Sequence, residues 1–358
     1  MGDDDSPTWS AGARPGAWTA HRAAVYAHGM RSGALVLGLV LGCHGGGVQS
    51  STVASNTASD GTSSGTSSGA GSSSASSGEP TTGGATGSTG VEVKCEGRTL
   101  GAGDYDEMFT EPFPTGGTRE RTVRIHVPAS YSPDTPTRVV VVFHGYFQDA
   151  TQIRLLSAMD AASEAFGFIA VYPAGFDDTW NAGGCCGFSS SLEADDLVFV
   201  HDILDRLESE FCVDPRRIHA TGLTNGGMFA QRVACEMSER IASVGSVEDG
   251  LAFDACAPAR PVAVMLVDSE PGDAFEAYAH SVAETADLWA KFDGCTGAAT
   301  SVYDQGSAHC DERTTCEGGA AVRMCTIDAG TQPWPSGDGA DLDATAALIE
   351  FFAAHPLP

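Results

Sequence analysis

Apolar residues recur along this chain in short blocks separated by longer amphipathic stretches. Arg138 to Phe143 is a nearly continuous apolar run of the kind buried on both faces of a parallel sheet. Val123 to Val127, Phe168 to Val171, Arg217 to Thr221, Ser243 to Val247, Val262 to Val267 and Ala321 to Ile327 are predicted as further strands. Between them lie helix-like segments over Leu155 to Ala165, Ala194 to Glu208, Gly227 to Met237, Ala277 to Phe292 and Ala344 to Ala354. Alternation of strand and helix predicts an α/β fold, a mostly parallel twisted sheet with helices on both faces. Functional side chains in such sheets gather on loops after the carboxyl ends of the strands.

The pattern begins only near residue 91. Residues 44 to 90 contain 12 Gly, 14 Ser and 8 Thr, a composition that cannot bury a core and predicts a flexible tether. A coil of that length has a root-mean-square span of about 40 Å. Ahead of it, residues 30 to 43 run from Met30 and Arg31 through a short apolar stretch to Leu41-Gly42-Cys43, the pattern of a bacterial lipoprotein signal. Cys43 is the expected lipidation site and anchor to a membrane, the apolar run being too short to span a bilayer. Residues 1 to 29 look unlike any signal, which points to translation starting at Met30. The expected organisation is therefore 1–29 as an upstream extension, 30–43 as signal, 44–90 as tether and 91–358 as one folded domain of an exported envelope or extracellular protein.

Charge narrows the partners. The formal net charge is −28, and residues 1 to 42 hold three acidic and three basic residues, so removing them leaves it unchanged. Nucleic acid and anionic headgroups are unsuitable ligands for such a chain. No cofactor motif and no calcium loop of EF-hand spacing is visible. Setting Cys43 aside, ten cysteines remain: Cys95, Cys185, Cys186, Cys212, Cys235, Cys256, Cys295, Cys310, Cys316 and Cys325. An even number in an exported chain predicts disulfides, with the pairing undetermined. The alternatives are a redox or metal role for vicinal Cys185-Cys186, and zinc held by His309, Cys310 and Cys316.

Candidate chemistry centres on Ala220-Thr221-Gly222-Leu223-Thr224-Asn225-Gly226-Gly227-Met228, a G-x-S-x-G nucleophile elbow in which Thr224 replaces the serine. Val140-Val141-Val142-Phe143-His144-Gly145-Tyr146 precedes it, followed by Thr179-Trp180-Asn181-Ala182-Gly183-Gly184-Cys185-Cys186-Gly187 and later by Trp334-Pro335. In these segments the chain resembles the secreted polyhydroxybutyrate depolymerase and feruloyl esterase group of the α/β-hydrolases, over roughly residues 118 to 355. The resemblance implies a disulfide-stabilised α/β-hydrolase fold and hydrolysis of carboxylic esters. It also implies an oxyanion hole formed by the backbone N–H groups of Tyr146 and Asn225, and a catalytic acid at Asp273. Aligned on Trp334-Pro335, the family's histidine base falls at Gln332.

Two of three catalytic positions are thus altered. An aliphatic hydroxyl is almost wholly protonated at neutral pH and needs a base, which an amide cannot supply. Losing an essential triad member costs on the order of 10⁴- to 10⁶-fold in rate. The expectation is a hydrolase-derived protein with lost or much reduced turnover that binds an ester, polyester or polysaccharide ligand, with Trp180 and Trp334 stacking on it. The alternatives are an active ester hydrolase using Thr224 with a substitute base drawn from His144, His201, His280 or His309, and an envelope interaction protein.

Overall fold

The computed structural model describes residues 93, 95–113, 115–269, 278–328, 333–337 and 340–358. The predicted extension, signal and tether lie outside the described residues, as do Cys43, Asp273 and Gln332.

Ten strands form one sheet: β1 Gly103–Pro112, β2 Thr118–Val127, β3 Thr137–Phe143, β4 Phe168–Pro173, β5 Val213–Leu223, β6 Ser243–Val247, β7 Ala263–Asp268, β8 Thr300–Gln305, β9 Ala308–Arg313 and β10 Val322–Ile327. Their spatial order is β1-β2-β4-β3-β5-β6-β7-β10-β9-β8. From β4 through β10 the six central strands pair in parallel, while β1, β2, β9 and β8 join antiparallel at the two edges. The seven predicted strands are all present. β1, β8 and β9 escape the apolar signal because β1 and β8 are edge strands with exposed and half-buried side chains, and β9 is apolar only at alternate positions.

Side-chain alternation along the central strands builds two cores, one on each face of the sheet. In β3, Val139, Val141 and Phe143 face one core, while Val140 and Val142 face the other. β4 divides the same way, with Ile169 and Val171 opposite Phe168, Ala170 and Tyr172. The continuous apolar run in the sequence is therefore two interleaved faces, each covered by helices.

The helices are α1 Ala150–Ser157, α2 Met159–Phe166, α3 Gly187–Ser191, α4 Asp196–Glu210, α5 Asn225–Glu236, α6 Val282–Phe292 and α7 Ala344–Ala354. α4, α5 and α6 cover the first core; α1, α2 and α7 cover the second. Leu155 to Ala165, predicted as one helix, is broken at Ala158, which sits at φ 50°. The carbonyl of Ser157 accepts from the Thr345 hydroxyl at 2.6 Å, a tertiary bond that the local pattern does not contain. The predicted helix from Ala277 begins only at Val282, where Ser281 and Glu284 cap each other's backbone N–H in a capping box.

All ten cysteines pair: Cys95 with Cys212, Cys185 with Cys186, Cys235 with Cys256, Cys295 with Cys316 and Cys310 with Cys325. Cys310 and Cys316 thus belong to different disulfides, which overturns the zinc alternative. Among the described residues no group of three or more His, Cys, Asp or Glu side chains is arranged to hold a metal.

Candidate active site

β5 ends at Leu223 and α5 starts at Asn225, so Thr224 alone turns the chain from strand to helix. Its backbone sits at φ 46°, ψ −117°, a region that β-branched residues rarely enter and that costs on the order of 1–3 kcal/mol. Neighbouring contacts hold it there. Thr224 N–H donates to the Val247 carbonyl at the end of β6 at 2.9 Å, and the Thr224 carbonyl accepts from Met228 N–H at 2.8 Å. So tight a turn brings backbone against backbone: a Cβ on Gly222 would lie 2.4 Å from the Gly226 carbonyl, and one on Gly226 would lie 2.4 Å from the carbonyl oxygens of Phe143 and His144. Both glycines are required by that approach.

The loop after β3 supplies the facing wall. Tyr146 N–H donates to Thr224 Oγ1 at 3.3 Å, and Gly145 N–H donates to Gln148 Oε1 at 3.0 Å. A Cβ on Gly145 would meet Thr224 Oγ1 at 2.9 Å, so the hydroxyl lies directly against this loop. The half-buried Thr224 side chain therefore turns toward the Tyr146 amide, one of the two groups expected to receive an oxyanion. Asn225, the other, is fully buried. Its side chain is engaged elsewhere: Oδ1 accepts from Trp180 N–H at 2.8 Å and Nδ2 donates to the Trp180 carbonyl at 3.0 Å. This reciprocal pair ties the start of α5 to the loop carrying Cys185-Cys186.

That loop is in turn anchored by a buried ion pair. Asp196, at the start of α4, accepts from Arg121 Nη1 at 2.7 Å, from Asn181 N–H at 2.7 Å and from the Ser189 hydroxyl. The Arg121 guanidinium lies 3.6 Å from the ring centroid of Phe199 and 5.4 Å from that of Trp180. Nothing local in the sequence marks Arg121 or Asp196, which lie 75 residues apart.

Trp180 and Trp334 require correction as stacking surfaces. Trp180 is completely buried, stacked on Phe229 at 5.0 Å, with its indole N–H donating to the His144 carbonyl at 3.0 Å. Trp334 is likewise buried, and its N–H donates to Thr345 Oγ1 at 2.9 Å. Both rings hold loops in place; neither presents a face to a ligand.

Of the four histidines considered as a substitute base, His144 has both ring nitrogens engaged: Nδ1 lies 2.9 Å from the Gly145 carbonyl and Nε2 accepts from Gly175 N–H at 2.7 Å. Burial holds its pKa below the ordinary histidine value, so it stays neutral and structural. His201 lies on α4 and His309 on β9, opposite Thr326 and Asp304. His280 pairs with Asp254, Nε2 to Oδ1 at 2.7 Å, and its backbone N–H donates to Leu251 in the segment following β6. Among the described residues no histidine hydrogen-bonds Thr224.

Two acidic residues near the elbow went unread in the sequence. Glu248 and Asp249 immediately follow β6, one and two residues beyond the carbonyl that holds Thr224, and both are buried at positive φ, 57° and 60°. Glu248 Oε1 accepts from Ser269 N–H at 3.2 Å and from the Ser269 hydroxyl. Segments distant in sequence bury this turn: Glu248 N–H donates to the Val267 carbonyl of β7 at 2.8 Å, and a Cβ on Gly250 would lie 2.2 Å from the His280 carbonyl just ahead of α6.

No protein-family model matches the chain. Feruloyl esterase B of Piromyces equi is 26% identical over 246 residues, spanning 61% of this chain and 43% of that protein. A putative esterase of Nocardia uniformis subsp. tsuyamanensis is 28% identical over 179 residues, 47% of this chain and 50% of its own length. The chain thus matches no more than half the length of these relatives. Among solved structures, the acetyl xylan esterase from Aspergillus awamori superposes with a TM-score of 0.50 at 14% identity, covering 70% of this chain and 99% of that one. With a mixed sheet wrapped by helices and a threonine at its strand-to-helix elbow, the chain is an α/β-hydrolase in fold, similar to the feruloyl esterase-like group.

Proposed function

We propose that this chain is an exported, esterase-derived α/β-hydrolase whose ester hydrolysis is lost or much reduced and whose elbow serves to bind a ligand. The observation that carries the reading is the Thr224 side chain itself. Its hydroxyl accepts from Tyr146 N–H. An attacking oxygen has to give up a proton to a base and leave that N–H for the oxygen of the substrate carbonyl. Here one hydroxyl occupies the receiving group, and Gln332 stands where the resemblance expects the base. Asp273 remains the proposed acid position, and Tyr146 and Asn225 N–H the proposed oxyanion donors.

The ligand class follows the relatives: a carboxylic ester, in particular one borne by a polysaccharide. A lipid anchor at Cys43 followed by the 44–90 tether would hold the domain at the bacterial envelope. Five disulfide pairs agree with an oxidising compartment.

A second reading has one observation in its favour. The His280–Asp254 pair joins an imidazole to an orienting carboxylate on the segment that follows β6, the strand bonded to Thr224. An active enzyme using Thr224 with His280 as base would need that imidazole to reach the hydroxyl.

One experiment separates the two. The full chain, with its disulfides formed, is assayed on a small activated ester such as para-nitrophenyl acetate, alongside Thr224→Ala and the double variant Thr224→Ser, Gln332→His. The proposal expects the natural protein to match Thr224→Ala while the double variant gains turnover of at least about 100-fold, part of the range attributed to a nucleophile and its base. A natural rate well above Thr224→Ala, abolished by His280→Ala, would replace it with the second reading.

A further inference from the structure

Beside the elbow stands an aromatic residue that the packing of the domain does not explain. Phe147 follows Tyr146 in the loop facing Thr224, is 52% exposed and sits at φ 55°. A bulky side chain in the left-handed region is strained, and an exposed phenyl ring contributes little to the core. The surroundings hold it there. Phe147 N–H donates to the Asp178 carbonyl at 2.9 Å, and its ring packs on Tyr146 with centroids 4.2 Å apart. Asp177 and Asp178 are themselves exposed and at positive φ, 50° and 57°. Three consecutive-in-space residues in an unfavoured backbone region, at the rim of a candidate site, are the kind of strain that a binding function retains. A second exposed ring stands nearby. Phe188 is 56% exposed and follows Gly187, whose added Cβ would press on the Thr179 side chain at 2.6 Å, so the backbones carrying both phenylalanines adjoin Asp178-Thr179.

The chemistry of this lip selects its ligand. A flat phenyl face is electron-rich and favours contact with C–H groups, which one face of a pyranose ring presents. Exposed carboxylates accept hydrogen bonds, which sugar hydroxyls donate. An anionic glycan is repelled by Asp177 and Asp178 and by the net charge of −28. A polyester offers no hydrogen-bond donor, and covering the two carboxylates with it would desolvate them without compensation. We infer that Phe147, with Asp177 and Asp178, forms a lip that seats an uncharged sugar ring of a glycan next to the Thr224 elbow. This rests on the reading that the elbow takes a ligand borne by a polysaccharide and adds to it which residues outside the elbow seat the sugar and select against charged glycans.

Calorimetric titration of the full chain with xylohexaose, an uncharged run of pyranose rings, tests the lip. The expected result is measurable binding that Phe147→Leu weakens by roughly five- to tenfold, the loss of one aromatic stacking contact, and that Phe147→Trp restores. Hexagalacturonate does not bind the natural protein and gains affinity in the double variant Asp177→Asn, Asp178→Asn. Thermal unfolding of each variant verifies that the fold is unchanged. Absence of xylohexaose binding, equal binding by Phe147→Leu, or preferential binding of a hydroxybutyrate oligomer through Phe147 would each overturn the inference. Failure of the lip is distinguishable from failure of the elbow reading. A gain of turnover in Thr224→Ser, Gln332→His with no effect of Phe147 leaves the elbow reading standing alone; Phe147-dependent binding without that gain leaves the lip standing alone.

Discussion

At Thr224 a methyl and a hydroxyl share a backbone position that a smaller side chain would occupy with less strain, and the surrounding hydrogen bonds keep it there. Its amide is held by β6, its carbonyl by α5 and its hydroxyl by the loop after β3. The buried Arg121–Asp196 pair works at the same scale, one pair of charges fixing the Trp180 loop against the start of α5. The Arg121 and Asp196 side chains are 3% and 0% exposed, so removing Asp196 leaves the buried guanidinium with Glu111 alone, whose Oε2 accepts from the same Nη1 at 3.0 Å, and strands the Asn181 N–H and the Ser189 hydroxyl. Asp196→Ala is expected to lower unfolding free energy by about 3 kcal/mol, the low end for a broken buried pair because Glu111 remains, measured by urea denaturation. A change under 1 kcal/mol would mean that Glu111 or entering water takes over the guanidinium.

Elements depend on their ends as much as on their apolar faces. α6 begins where Ser281 and Glu284 cap each other, and the Ser-x-x-Glu spacing that specifies this is present in the chain, although periodicity alone extends the helix back to Ala277. Ser281→Ala should cost about 1 kcal/mol and be visible as a shift in the urea midpoint at unchanged slope. The break between α1 and α2 is different in kind. It depends on Thr345, 188 residues from Ser157 in sequence, so no window around Ala158 contains its cause. β1 and β8 were likewise hidden, because a solvated edge strand carries few of the apolar residues by which strands are read.

For the whole molecule, cross-links and buried charge set the stability. Cys95–Cys212 closes a loop of 117 residues and ties the segment before β1 to the start of β5. Replacing both cysteines by alanine should lower stability by about 4–5 kcal/mol through the unfolded chain's regained freedom, read as a lowered urea midpoint. Asp293, at the end of α6, is fully buried; Oδ1 accepts from Val262 N–H at 2.9 Å and Oδ2 has no partner among the described residues. Burial raises its pKa from 3.8 to about 7. The folded state thus holds this proton more tightly than the unfolded chain. Its contribution to stability is greatest below pH 4, declines as pH rises from about 4 to about 7, and is constant above. Three units correspond to about 4 kcal/mol as an upper bound. Asp293→Asn should remove that slope, so its stability relative to the natural protein increases between pH 5 and pH 8 in urea titrations. A difference independent of pH would mean that the carboxyl is not protonated in the fold.

What the chain's own order of residues determined was the central architecture and the place of the chemistry. Seven apolar blocks alternating with amphipathic stretches specify a parallel sheet between two helical layers, since strands buried on both faces must be apolar throughout. A Gly-rich turn between one such strand and a helix identifies the elbow and Thr224 within it. An even set of ten cysteines announced disulfides without their partners. Tertiary structure alone decided the rest, because each remaining feature joins residues that are distant along the chain. It paired the cysteines, turned Trp180 and Trp334 inward, engaged both nitrogens of His144, and turned the Thr224 hydroxyl toward Tyr146. It also buried Glu248 and Asp249 and left Phe147 exposed. Local pattern reports how apolar a residue is; which residues surround it is a property of the assembled fold.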